Sequence, residues 1–135
     1  MPNTRSFRFS DNQKGHAMPN HKLSLSPNDL YQFSDDALLF FLLAFDSREE
    51  RCVAAVIVAM SQKHRAWYAI GRRDLLNESM HRRTLLRQES DASRGVQYLL
   101  DRGALEEGWS SGECCYVPTE HFVQVVASRY SRSAA

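Results

Sequence analysis

Apolar residues fall into helix-spaced runs separated by charged or turn-forming stretches, with one interval of strand-like alternation. The first run, "SDDALLFFLLAF", is apolar around its whole circumference. Ser34 is placed to cap it, with Asp35 and Asp36 at the positive end of the helix axis. The second, "SREERCVAAVIVAMSQKH", opens with Ser47 and Glu50 at capping-box spacing. Cys52, Val56, Ala59 and Met60 recur on one face of this helix, widened by Val53 and Ile57. "RAWYAIG" is short, aromatic and bounded by Gly71, which predicts one brief strand. "RRDLLNESMHRRTLLRQE" predicts a helix with a break near His81. "SDASRGVQYLLDRG" predicts another, capped by Ser90 or Asp91. It presents Ala92, Val96, Leu99 and Leu100 on one face and closes at Gly103.

Beyond Gly103 the period changes. "ALEEGW" and "ECCYVP" read as two strands about the turn "SSG", and Pro118, which has no donor for a ladder, ends the second. On alternation, Leu105 and one of Cys114 or Cys115 are expected to point inward with Val117, while Glu106 or Glu107 faces water. Thr119 then caps "EHFVQVVASRY", whose stripe is Phe122, Val125 and Val126. A hairpin cannot stand alone, so this one is expected to lie against the helices.

The segment "LLDRGALEE…CCYVPTEHF" resembles MarR-like and PadR-like winged-helix regulators, on Leu99, Gly103, Tyr116 and Thr119, and the resemblance spans roughly residues 66 to 130. It implies a mainly α fold with a small β-hairpin, a winged helix-turn-helix. Residues 30–131 would form that domain, after an arm over 1–29 and before a tail over 132–135. It further implies a recognition helix in the major groove of duplex DNA and a wing against the backbone. Two pieces compete for the recognition role: the stretch containing "HRRTLLRQES" and the helix over 91–102.

Composition changes this picture in a few places. Residues 1–29 are rich in Asn, Ser and Pro and bury too little apolar surface to order by themselves. The net charge of +1 confines any nucleic-acid site to a local patch. From Lys63 to Arg102 there are nine basic residues against five acidic ones, mostly arginine, the residue suited to phosphate forks and guanine edges. The candidate DNA-binding residues are Arg72, Arg73, Arg82, Arg83, Arg87 and Arg94. Against that, Glu89 and Asp91 sit at the start of the 91–102 helix, and Glu106, Glu107 and Glu113 make the hairpin acidic. These features favour the alternative, a winged-helix adaptor, complex subunit or inhibitor that docks on protein.

Three cysteines, two adjacent, make a poor disulfide framework and fit a reducing, cytoplasmic setting. Adjacent strand residues point to opposite faces, so Cys114, Cys115 and His121 are expected to be structural and to hold no metal. Five scattered histidines and the lack of a phosphate loop or nucleophile elbow argue against an enzyme and against a cofactor. "ALLFFLLAF" is too short to span a bilayer. Its all-round apolar surface is expected either to form a homodimer interface or to lie beneath the C-terminal helix.

Overall fold

The computed structural model describes residues 23–31, 45–81 and 86–130. Among them the chain is mainly helical, with four helices and one three-stranded antiparallel sheet. After a 3-10 turn at Pro27–Asp29 come α1 (Arg48–His64), β1 (Ile70–Gly71), α2 (Arg72–His81), α3 (Glu89–Asp101), β2 (Leu105–Ser110), β3 (Glu113–Pro118) and α4 (Glu120–Tyr130). The sheet order is β1-β3-β2, which places β3 at its centre.

Helix α1 is the spine because its apolar residues leave no wet side: Cys52, Val53, Ala54, Ala55, Val56, Ile57 and Val58 are all buried. Its capping box forms as the Ser47–Glu50 spacing predicts. The Glu50 backbone N–H donates to Ser47 Oγ at 3.1 Å, and the Ser47 N–H donates to Glu50 Oε1 at 3.0 Å. Arg65 closes the helix in the left-handed region, at φ 61°. Helix α3 crosses α1 closely enough that a Cβ added to Gly95 would stand 2.5 Å from the Glu49 carbonyl oxygen. Gly95 thus joins Ala92, Val96 and Leu99 on the buried face, and Leu100 is half-buried.

The hairpin turns on two residues, Ser111 (φ 55°) and Gly112 (φ 75°), both left-handed. Such a pair matches the right-handed twist of the flanking strands. Strand β2 therefore runs one residue further, to Ser110, than a turn at "SSG" predicts.

The register corrects the expected inward set. Leu105 pairs with Pro118, Glu107 with Tyr116 and Trp109 with Cys114, so these six share one face. Cys115 and Val117 lie on the other, buried with Ala69. Tyr116, absent from the inward set that alternation predicts, is the side chain that enters the main core from β3. Glu106 and Glu107 are both exposed.

Residues Leu23–Tyr31 lie as a strap against the body. The buried Trp67 indole N–H donates to the Leu25 carbonyl at 2.6 Å. The Gln62 amide donates to the carbonyls of Tyr31, Pro27 and Leu30 at 2.9, 3.3 and 3.4 Å. The Ser24 N–H donates to Glu120 Oε1 at 2.9 Å. The stretch expected to be an unstructured arm to residue 29 thus makes specific bonds from Ser24 onward, and its first 22 residues lie outside the described part of the chain. Most of the helix expected from Ser34 also lies outside it. Of "ALLFFLLAF" only Phe45 is described, stacked on Phe122 of α4 with ring centroids 5.7 Å apart.

Candidate nucleic-acid interface

Helix α3 turns two different faces to its surroundings. The residues opposite its buried stripe, Ser90, Arg94 and Gln97, are exposed, and Ser93 is half-buried. They line one side of a groove of about 590 Å³. Arg72, from the first turn of α2, lies in its floor, and the hairpin face bearing Glu107 and Tyr116 forms the opposite wall. Val96 and Leu100 add apolar lining on the α3 side. A second hollow, about 310 Å³, joins Arg72 and Arg73 to Leu76, Glu89, Gly112, Glu113 and Cys114.

A polar network fixes the groove. Arg72 Nη1 donates to the Tyr116 hydroxyl at 2.5 Å and Nη2 to Ser93 Oγ at 2.9 Å, so one guanidinium ties α2, α3 and β3 together. The Tyr116 bond raises the Arg72 pKa, which keeps the cation in place. Burial raises the Tyr116 phenol above its ordinary range, so it stays neutral. Cys114 Sγ donates to Glu107 Oε2 at 3.4 Å, and burial likewise raises its pKa, leaving a poor nucleophile. Cys115 on the opposite face is pushed up to about 12, again by burial.

The acidic residues at the head of α3 have partners of their own. The Asp91 carboxylate accepts from the backbone N–H groups of Arg87 and Gln88 at 3.3 Å each and from Arg94 at 2.5 Å. These contacts, the Arg87 N–H first, hold its pKa below the ordinary value. The helix consequently begins at Glu89, just ahead of the expected caps Ser90 and Asp91. Arg94 also reaches Glu49 of α1 at 3.7 Å. At the other end of α3, Arg102 pairs with the buried Glu50 at 2.5 Å and with Asp46 at 3.4 Å. These arginines make one i,i+3 contact and bridges between helices, because α1 presents its own carboxylates to α3.

Of the six candidate arginines, Arg72 and Arg94 line the groove, Arg73 joins Arg72 in the adjoining hollow, and Arg87 is exposed ahead of α3. Arg82 and Arg83 lie outside the described residues. Counting arginines passes over Ser90, Ser93, Gln97 and Tyr116. The first three are open to a helical-wheel reading of α3, as the polar side opposite Ala92, Val96 and Leu99. Tyr116 is not, since its role depends on which strand is central.

Among the described residues no three His, Cys, Asp or Glu side chains stand together in a way that could hold a metal ion. No described helix is long and apolar enough to cross a membrane. Comparison with family models, curated proteins and solved structures returned no match.

Proposed function

We propose that this chain is a winged helix-turn-helix protein that binds duplex DNA non-covalently, as a transcriptional regulator or as a replication or maintenance factor of a mobile element. The observation that carries this reading is the outward side of α3. Ser90, Ser93, Arg94 and Gln97 follow one another along a groove open to solvent, beside a hairpin and above Arg72. Glutamine suits adenine, arginine suits guanine and serine accepts either, which is the chemistry that base edges in the major groove require. The order of elements, helix, strand, helix, helix, hairpin, supports the winged-helix assignment, with β1 paired to the central β3. In this reading α3 is the recognition helix, and the exposed Arg73 with Arg87 takes phosphates on either side.

The test is a salt titration against random-sequence duplex. Binding should weaken steeply with salt, and Arg73→Ala should reduce the slope of log affinity against log salt by about 0.9, the value of one neutralised phosphate. Absence of duplex binding at low salt would remove this reading in favour of the adaptor. That second reading draws support from Arg94 and Arg102, whose charges are taken up by Asp91, Glu49, Glu50 and Asp46.

A further inference from the structure

The β2–β3 hairpin carries an exposed tryptophan outside the groove lining, on the same face as Glu107. Residues 104–118 include three carboxylates, Glu106, Glu107 and Glu113, and no lysine or arginine. All three are exposed. On the same hairpin Trp109 is 59 % exposed, more than Tyr31 or Tyr98, the other large exposed hydrophobic side chains among the described residues. An acidic flap is repelled by phosphate, so this indole is poorly placed to serve a polyanion.

The register sets the indole and the Glu107 carboxylate on one face of the hairpin. Trp109 stands opposite Cys114, and Glu107 stands opposite Tyr116 on the same face. Two residues along a strand span roughly 7 Å. Cys114, across the ladder from Trp109, donates its thiol hydrogen to Glu107 Oε2 at 3.4 Å. That bond ties Glu107 to the residue opposite Trp109, and the left-handed Ser111–Gly112 turn holds the strands in register close by. A guanidinium laid on the indole face would meet a cation–π partner beneath it and a carboxylate at its edge, and arginine's planar fork suits both.

We infer that the front of the hairpin, Trp109 with Glu107, is a docking site for an arginine-bearing segment of a partner protein. Glu106 and Glu113 add the long-range attraction that brings a cationic chain to it. A tryptophan offers a large contact area at the cost of ordering only two side-chain torsions, which is the usual character of an interface anchor. This site does not rest on the duplex reading, although Glu107 also lines the groove opposite α3.

The chain's two tryptophans make the test direct, because Trp67 is buried and Trp109 is exposed. The full-length protein, labelled with nitrogen-15, is titrated with a synthetic peptide of alternating Arg and Ser, with its Lys counterpart, and separately with duplex DNA. The Arg peptide should move the Trp109 indole N–H resonance and leave that of Trp67 in place. It should bind several-fold more tightly than the Lys peptide. Trp109→Ala should weaken it by about tenfold, with the unmoved Trp67 signal reporting an intact fold. Glu107→Gln should weaken it by about threefold to tenfold. The inference is overturned by a still Trp109 signal at millimolar peptide, by equal binding of Lys and Arg peptides with Trp109→Ala silent, or by a Trp109 signal that answers duplex and not peptide. Duplex that shifts α3 amides while the Arg peptide does nothing would sink the docking site and leave the DNA reading standing.

Discussion

Gly95 decides how closely the two longest described helices approach. Its missing side chain lets the α3 backbone rest on that of α1, and an added methyl would press on the Glu49 carbonyl carbon at 2.9 Å as well as on its oxygen. Backbone cannot swing aside as a flexible side chain can. Gly95→Ala should therefore destabilise the protein by roughly 2–3 kcal/mol despite alanine's better helix propensity. A urea-unfolding series would check this, and a neutral result would mean that the crossing is looser than described. The same contact brings Glu49 beside Arg94, so a shifted α3 would also disturb the outward side proposed to read bases. Tyr116 acts comparably in the polar part of the fold, since its hydroxyl accepts the bond that settles Arg72 in the groove floor.

At the scale of elements, the hairpin tests how local chemistry sets geometry. Ser111 occupies a left-handed position that asparagine adopts more readily than serine. Ser111→Asn should stabilise the protein by about 0.5 kcal/mol, read as a higher thermal midpoint, whereas Ser111→Val should lower it. Much of the architecture was legible because local rules and tertiary packing agreed. The α1 capping box, the α3 stop at Gly103, the hairpin and the helix after Thr119 all stand near where spacing and turn residues place them. Legibility ended where a feature depended on a distant partner. Which side of β3 faces the helices is decided by its central place between β1 and β2, and alternation alone could not distinguish Tyr116 from Val117. The arginine-rich segment was visible as charge. That Arg94 and Arg102 are bridged to α1 was not, because Glu49 and Glu50 are more than forty residues away. The order of Leu23–Asp29 was equally hidden, since its composition is that of a loop and its bonds go to Gln62, Trp67 and Glu120.

For the molecule as a whole, two buried acids set an alkaline limit. Burial, with Asp74 and Glu78 nearby, pushes Tyr68 up to about 12 from its ordinary 10.0, and burial pushes Cys115 to about 12 from 9.0. Both folded values lie above the unfolded ones, so the folded state favours the neutral forms. Their contribution is fully present below about pH 9 and is lost as pH rises toward 12. The urea midpoint should fall across that window, and Tyr68→Phe should flatten the upper part of the decline. An unchanged slope in that variant would assign the loss elsewhere.

The strap has a consequence of another kind. A backbone pinned between the last turn of α1 and the first turn of α4 is a mooring. Shortening the chain up to Leu23 removes none of these moorings. Trimming onward to Tyr31 would take away the carbonyl partners of the Trp67 indole N–H and the Gln62 amide.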